Sequence, residues 1–441
     1  MKCFPTSRAL CQVCVFSSLL VLPFISAGAA IAQGVALNGV GPINRSMGGA
    51  STAAPIDAAG ALHWNPASIS GLASSEIGFG LELLLPTEEL SSQVAANAFG
   101  AGVPPVNLSG STQGEPGVSP IPSAAWVHKC ENSPWTYGLG MYGIAGFRVN
   151  YPGSDTNPVL MSQANGGLGH VVAEAEFLQV VPTISYAISP KLSFGVAPTI
   201  TLAKVAVDPL LIGPQAGGAY TSGNGTRQHW GGGVQLGLYY VGDHDWHFGA
   251  SIKSPQWFED FRFRTEDGDG GTRTVTFDLD YPMIISFGTA YSGFDRWLFA
   301  CDLRYFDYKN TAGFGGGAGF GPGGEVTGLG WNNLFSLSTG VQYRPTDSTS
   351  WRLGYTFQQS PSSDHDTFFN IPAPLNIQHL LAFGASHKIT KNVILSAAYI
   401  HGFESQSTGP YHIPGLGPVA GTSATSKISA DALTFGVKLL Y

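Results

Sequence analysis

Residues 429–441 read SADALTFGVKLLY, and this stretch at the end of the chain decides the fold. In a strand, one face would carry large apolar and aromatic side chains, namely Leu433, Phe435, Val437, Leu439 and Tyr441. The opposite face would carry small or polar side chains, namely Thr434, Gly436 and Lys438. Because successive side chains of a β-strand point to opposite faces, this alternation predicts a strand with one apolar face.

The same alternation recurs further up the chain, for example in residues 192–203 and 351–358. Only 11% of the residues are charged, against about 25% in ordinary globular domains, whereas 44% are hydrophobic, 12% are aromatic and 59 of 441 are glycine. A buried soluble core could also alternate in this way. Its repetition in a weakly charged chain favours a membrane barrel, with apolar side chains towards lipid and polar ones towards the lumen.

Residues 273–291 test this interpretation, because Pro282 divides them. The larger side chains nonetheless occupy every second position, without a shift, on both sides of the proline. They are Val275, Phe277, Leu279, Tyr281, Met283, Ile285, Phe287, Thr289 and Tyr291. A hairpin would preserve this parity only by chance. We therefore predict one long strand, with Pro282 facing the lumen at a bulge or kink.

Counted in this way, the chain has fourteen predicted strands. They lie near residues 76–85, 122–130, 135–147, 177–188, 191–205, 227–241, 245–254, 273–291, 295–307, 332–344, 350–359, 377–387, 391–402 and 429–441. Short turns and long loops alternate between them. An even strand number, short periplasmic turns and long extracellular loops are typical of an antiparallel bacterial outer-membrane barrel with both ends on the periplasmic side.

Residues 1–32 read as a signal peptide. Lys2 and Arg8 give a positive start, residues 13–25 are apolar, and Ala30-Ile31-Ala32 fits a cleavage site. A membrane-anchoring helix is the alternative, but the apolar run is shorter than the ~20 residues needed to span. Two of the five cysteines lie beyond this segment, and we interpret both as unpaired, small apolar residues: Cys130 and Cys301.

Residues 33–75 do not alternate and are rich in Gly, Ala and Ser. Asp57 can cap a short helical turn over residues 58–63, and Asn65 can cap a second turn that begins with Pro66 and ends before Gly71. A barrel of fourteen strands is wider than side chains alone can fill. We therefore predict an all-β chain in which residues 33–75 form a small helical hatch that plugs the barrel of residues 76–441.

The hatch residues resemble a known family. Its members are the FadL/TodX outer-membrane transporters of hydrophobic compounds, and the shared positions are Arg45, Met47-Gly48-Gly49-Ala50, Asp57-Ala58 and Asn65-Pro66-Ala67. Phe248-Gly249-Ala250-Ser251, Lys253-Ser254-Pro255 and the strand containing Pro282 are also similar to this family. The Asn-Pro-Ala triplet alone is a weak motif. Its position before an independently counted fourteen-strand barrel makes the combination specific.

The resemblance implies a monomeric barrel that takes up long-chain fatty acids or related apolar molecules without a cofactor or an energy source. The ligand would first bind an apolar groove on the outer loops and then a deeper pocket. After the hatch moves, an inward kink of the third strand would open a lateral exit. Outer-membrane lipid, lipopolysaccharide and the barrel-assembly machinery are the other expected partners, and the terminal Tyr441 suits the signal which that machinery reads.

Two candidate sites follow from this resemblance. The kink would lie around Gly143 and Gly146, although ordinary small lumen-facing residues beside the hatch are the alternative. The groove would use apolar residues of two long loops, for which simple loop packing is the alternative: Val159, Leu160, Met161, Leu168, Leu210, Leu211 and Ile212.

Other functions remain open at this stage. They are a porin for small polar solutes, a surface lipid enzyme, and a receptor or adhesin. The hatch and the low charge argue against the porin, and the sequence offers no Gly-x-Ser-x-Gly serine motif, no metal motif and no candidate catalytic residue. The net charge of −8 argues against nucleic acid as a partner. Fatty acids, alkanes and aromatic hydrocarbons cannot be told apart from the sequence.

Overall fold

The structure is a computed structural model that describes residues 32–223, 228–266 and 270–441. The predicted signal peptide lies outside the described residues, except for Ala32. Within the described ranges, no helix has the length and apolar character needed to cross a membrane.

Fourteen long strands form the wall. They are β1 (Glu76–Val94), β2 (Ser119–Lys129), β3 (Trp135–Tyr151), β4 (Val171–Ala187), β5 (Leu192–Asp208), β6 (Gln228–Val241), β7 (Trp246–Lys253), β8 (Ile284–Tyr291), β9 (Trp297–Phe306), β10 (Leu334–Tyr343), β11 (Thr349–Gln358), β12 (His379–Lys388), β13 (Val393–Gly409) and β14 (Thr422–Leu440). Each strand pairs antiparallel with the next, and β14 pairs with β1 from Thr422↔Val94 to Leu440↔Glu76. The ladder is therefore closed, as the sequence predicts.

The outer face of the wall is apolar. Aromatic side chains are exposed where short turns join the strands and at the last residue: Trp135, Tyr186, Tyr240, Trp246, Trp297, Tyr343, Trp351 and Tyr441. Aromatic rings are enriched where a membrane meets water, because they are partly apolar and partly polar. The five large residues quoted from the C-terminal strand all lie on this outer face.

The eighth strand differs from the prediction. Only residues 284–291 belong to the wall, whereas Thr272–Phe277 pairs with Phe261–Glu266 in a separate loop hairpin. Val275, Leu279 and Tyr281 are buried inside the outer loops and do not face lipid. The prediction of one long strand through Pro282 was wrong, because parity cannot distinguish an apolar face against lipid from one packed within loops. The strand count is unchanged.

The hatch fills the lumen with two short helices. Helix α1 (Gly41–Ser46) packs against β1 and β11–β14, and helix α2 (Ala58–Trp64) packs against β1–β4. Asp57 caps α2 by accepting a hydrogen bond from the Gly60 N–H at 3.3 Å. The next turn is a 3₁₀ helix over Ser68–Gly71, so it begins two residues later than predicted and includes Gly71.

Shorter elements occupy the rest of the hatch and the outer loops. The strands are Ala32–Gln33, Ala36–Leu37, Leu108–Gln113, Trp257–Phe258, Phe261–Glu266, Thr272–Phe277, Gly319–Phe320, Val326–Gly328, His412–Ile413 and Gly417–Pro418. The remaining 3₁₀ helices are Pro158–Leu160, Gln163–Asn165 and Asp364–Asn370.

Glycines in the wall let the hatch approach the strand backbones. A Cβ atom at Gly237 would overlap the side-chain oxygen of Asn65, and one at Gly249 would overlap the Thr52 carbonyl. Several glycines of the strands, such as Gly195, Gly340 and Gly354, are contact points for the hatch in the same way.

Candidate functional site

An apolar groove lies among the outer loops. Phe99 and Val103 come from the first long loop, Val159, Met161 and Leu168 from the second, and Phe368 and Tyr411 from the last two. Phe99 and Val103 are 41% and 54% exposed, so the groove has apolar side chains at its mouth.

A second cavity adjoins the groove on the inside. It shares Leu168, Phe368 and His412 with the groove. Its other walls are more polar and include Gln163 and Tyr220, where the Gln163 carboxamide donates to the Tyr220 carbonyl at 3.0 Å. This cavity forms a neck between the outer groove and the lumen.

A third, apolar cavity lies deeper. Its wall includes Phe147, Ala173, Ala175, Val205, Val207, Leu211, Ile212, Phe277, Leu279, Phe314, Val326, Phe369 and Ala373. It shares Leu211, Val326 and Phe369 with the neck. The three spaces are therefore neighbours, and each shares wall residues with the next from the outer groove to the upper lumen.

The loop residues named from the sequence divide between these spaces. Val159, Met161 and Leu168 line the outer groove, whereas Leu211 and Ile212 line the inner cavity. Leu160 and Leu210 are buried in the core and line none of the three cavities. Sequence reasoning missed the aromatic residues of the later loops. Their only available signal was an aromatic side chain within a long loop: Phe314, Phe368, Phe369 and Tyr411.

The third strand is irregular where it contacts the hatch. Pairing between β2 and β3 runs from Lys129↔Thr136 to Ser123↔Tyr142 and ends there. The pairing of β3 with β4 continues, with a register shift between Gly143 and Ala145. Above the shift, Ala145 pairs with Ala36 of the hatch, and the Gly146 N–H donates to the Val35 carbonyl at 3.2 Å.

The ladder between β2 and β3 has a gap at this point. Residues 119–122 of β2 pair with β1 on one side, and the described ladder gives them no partner in β3 on the other. Ile121 lies across this gap from β3, since a Cβ atom at Gly143 would be 2.8 Å from the Ile121 Cγ2. Gly143 and Gly146 therefore flank the irregularity, and Ile144 is the extra residue.

Two buried ion pairs attach the hatch to the wall. Arg45 of α1 makes a bidentate pair with Glu82 of β1, with N···O distances of 2.8 and 2.7 Å. Arg304 of β9 pairs with Asp302 at 2.5 Å and donates to the Gly49 carbonyl at 2.7 Å. The sequence pointed to Arg45 but not to the pair on β9.

Hydrogen bonds complete this attachment. Asp302 accepts from the backbone N–H groups of Ser51 (2.8 Å) and Thr52 (2.9 Å). The Asn65 amide donates to the Thr52 carbonyl at 2.8 Å and to the Leu238 carbonyl of β6 at 2.9 Å, while its oxygen accepts from the Ala67 N–H at 3.1 Å. Asn65 thus connects two parts of the hatch to the wall.

Asp57 of the hatch has a raised proton affinity. Burial raises the pKa of Asp57 from 3.8 to about 6, although the nearby Lys438 ammonium acts in the opposite direction. Lys438 donates to the Ile56 carbonyl and pairs with Glu76, both at 3.1 Å. Asp57 is therefore a titratable group in the contact between the hatch and the wall.

Comparison with known proteins identifies the family. A family model described as outer membrane protein transport protein (OMPP1/FadL/TodX) matches residues 20–441. The chain belongs to the FadL/TodX family. It is an outer-membrane channel for the transport of hydrophobic compounds and not an enzyme. In the described part of this channel, no three His, Cys, Asp or Glu side chains form a group that could hold a metal ion.

Solved structures agree with the family fold. The P. putida toluene transporter TodX aligns with a TM-score of 0.64 and 15% identity, and a Pseudomonas aeruginosa FadL homologue aligns with 0.70 and 13%. The Ralstonia pickettii toluene transporter TbuX aligns with 0.64 and 16%. In all three cases, 92% of this chain and 99% of the other chain are covered. At these identities the likeness shows the fold alone. No curated protein matches the chain.

Proposed function

We propose that this FadL/TodX family channel takes up long-chain fatty acids or hydrocarbons of similar shape and releases them sideways through the gap at β3. The observation that supports the proposal is the row of three adjacent cavities, which begins in an apolar groove and reaches β3. Phe147, which lines the inner cavity, belongs to β3 itself. No pump or cofactor is required, because burial of apolar surface drives entry.

In this proposal the ligand first binds in the outer groove. Phe99, Val103, Met161 and Leu168 give the outer groove an apolar lining that a hydrocarbon chain can fill. About 25 cal/mol is gained for each Å² of apolar surface removed from water, so a long chain gains more than a small solute. This length dependence favours alkyl chains over small polar molecules.

The last part concerns exit. Below the inner cavity the hatch blocks the lumen, held by Asn65, Arg45 and Arg304. A ligand that passes sideways between β2 and β3 avoids the polar periplasmic end and enters the apolar interior of the membrane. Movement of the hatch segment at Ala36, which pairs with β3 beside the irregularity, would widen this opening.

A disulfide across the gap tests the exit. In the double variant Ile121→Cys with Gly143→Cys, the two thiols would lie close enough to form a bond. Uptake of labelled oleate and hexadecane by cells should fall after oxidation and recover with a reductant. Each single variant serves as a control for the substitutions and for the native Cys130 and Cys301. Unchanged uptake by the oxidised, cross-linked protein would contradict a lateral exit.

The ligand class has its own test. Cells with and without the gene would be given labelled oleate, hexadecane and toluene. Transport of oleate or hexadecane supports the proposal, whereas transport of toluene alone would contradict the preference for long chains. If none enters, and planar-bilayer recordings of the purified protein show large steady currents, the chain is a porin.

The remaining partners follow from the location of the barrel. We infer that outer-membrane lipid and lipopolysaccharide surround a single barrel, and that the assembly machinery reads the strand ending in Tyr441. Closure of the ladder within one chain supports the monomer, since no strand edge at the β14–β1 seam remains for a second copy.

A further inference from the structure

A groove crosses the lipid-facing side of the wall from β11 to β1. Its floor is formed by Ala385 of β12 and Ala397 of β13, which are register partners. Trp351 of β11 is the partner of Ala385 on one side, and Phe435 of β14 is the partner of Ala397 on the other. Because neighbouring strands are about 4.8 Å apart, the backbones that carry the two rings are about 14 Å apart, with only two methyl groups between them. The wall therefore has a depression that hydrocarbon chains can fill.

Large side chains close the groove at the end that points to the outer loops. The next outward-facing row on these strands contains Phe383, Tyr399 and Leu433, all of them exposed. At the other end, His387 and its register partner Leu395 lead to the turn between β12 and β13. The groove therefore opens towards the short turns, which face the periplasm in barrels of this class.

The turn at this open end carries an excess of positive charge. Residues 389–392 contain Lys391 and no acidic residue, and Lys388 ends the strand before them. Four of the other five short turns contain an aspartate or a glutamate, and the fifth contains Lys191, which pairs with Asp243. Neither Lys388 nor Lys391 forms an ion pair within the described part of the chain. Cations without a counter-charge at a membrane surface attract anionic lipid.

The surroundings of the groove narrow the choice of occupant. Every strand that lines it is hydrogen-bonded to a neighbour on both sides, so no free edge remains for a strand of another protein. A soluble anion would gain nothing from the apolar walls. A molecule with hydrocarbon chains and a negative head group fits both the groove and the lysines.

We propose that this groove binds an anionic phospholipid of the periplasmic leaflet, with its phosphate at Lys388 and Lys391 and its acyl chains over the two alanines. The groove extends over the seam of the barrel, because Phe435 of β14 is the register partner of Leu81 of β1. The bound lipid therefore contacts both strands that close the ladder and stabilises the closed barrel. The inference does not depend on what the channel transports, because the groove lies on the outer face of the wall.

Native mass spectrometry of the full-length protein tests the choice of lipid. Protein in a non-ionic detergent would be titrated with phosphatidylglycerol and with phosphatidylethanolamine that carry the same acyl chains. The wild type should bind phosphatidylglycerol about ten- to thirtyfold more tightly, the effect expected of two lysines at a membrane surface. Lys388→Gln combined with Lys391→Gln should abolish this preference. Arg344→Gln is the matched control, since it removes an exposed cation from another short turn and should keep the preference.

Filling the groove tests the position of the acyl chains. Ala385→Leu combined with Ala397→Leu should weaken binding of both lipids about tenfold, because the added side chains occupy the space of the chains. Ala250→Leu is the control. Ala250 lies on β7 between the exposed Leu238 and Phe287, so it faces lipid at another part of the wall.

The melting temperature gives a second measurement. Phosphatidylglycerol should raise it more for the wild type than for the double lysine variant, because a ligand that binds only the folded state stabilises that state. If a double variant does not assemble, Lys391→Gln and Ala397→Leu replace it as single variants. Equal affinity of the wild type for the two lipids would overturn the inference, and so would unchanged binding by the leucine variants.

Discussion

Asn65 shows how much of the hatch depends on single side chains. Its carboxamide group bonds Thr52, Leu238 and Ala67, and therefore connects two turns of the hatch to β6. The space for this side chain exists only because residue 237 of the wall is glycine. The Asn-Pro-Ala motif and a glycine far away in sequence thus form one contact.

Gly237→Ala should displace Asn65 and loosen the hatch. The added methyl group would overlap the Asn65 oxygen, and a close-packed interior leaves little room for adjustment. We expect ionic conductance in planar bilayers to rise above that of the wild type. Gly78→Ala is the control, since a Cβ atom there meets nothing within 4 Å. Equal conductance of the two variants would contradict a close contact at residue 237.

Asp57 should make the stability of the protein depend on pH. Its pKa rises from 3.8 to about 6 on folding, so the folded state binds a proton more tightly than the unfolded chain does. The protonated group therefore contributes fully to the free energy of unfolding below about pH 4. As the pH rises through about 6, this free energy falls by about 3 kcal/mol.

Asp57→Asn should remove this dependence, because asparagine still caps a helix but does not titrate in this range. Thermal denaturation would be compared at about pH 4 and about pH 7. The variant should gain stability over the wild type only at the higher pH. A constant difference between the two proteins at both values would show that Asp57 does not titrate in this window.

At the scale of elements, the hatch is attached through buried charges. Glu82→Gln leaves Arg45 charged and without its carboxylate in a site where both side chains are at most 7% exposed. Breaking such a pair costs about 3–5 kcal/mol, so the hatch should become sensitive to proteolysis and the melting temperature should fall. Asp243→Asn is the control, because Asp243 and Lys191 form an exposed pair at a turn. Similar losses in both variants would argue against a special role for the buried pair.

The strands were predictable because one face of each strand contacts lipid and the other faces the filled lumen. Apolar side chains therefore alternate with small or polar ones along the sequence. In the structure Leu433, Phe435 and Leu439 are exposed, whereas Thr434 is buried. It failed at Val275, Leu279 and Tyr281, where apolar side chains pack among loops and obey the same parity without facing lipid. Periodicity reports an apolar face but not what covers that face.

The site was less predictable than the fold. Loop residues such as Met161 and Leu211 could be proposed as apolar, but Leu160 and Leu210 beside them are core residues. Loops have no period from which the direction of a side chain can be deduced. The role of Asp302 was also invisible, because its contacts with Ser51 and Thr52 join β9 to a part of the hatch that is distant in sequence.

At the scale of the whole molecule, the proposed path passes through three cavities one after another. Blocking any one of them should therefore stop transport. Leu211 belongs to both the neck and the inner cavity. Leu211→Trp should fill the junction and lower uptake of every transported probe by about tenfold, because a packed junction cannot absorb the added volume. Leu416→Trp is the control, since Leu416 is 80% exposed at a loop. Normal uptake by the Leu211 variant would show that ligands bypass the neck.

The gap beside β2 also has a consequence for the surrounding bilayer. A strand edge without a neighbour normally presents N–H groups that hydrocarbon cannot satisfy, at several kcal/mol for each group. Two of the four residues from 119 to 122 are prolines, Pro120 and Pro122, which have no N–H group. With two fewer N–H groups, this part of β2 loses less free energy beside the acyl chains of the membrane. It is also a poor template for pairing with a strand of another protein.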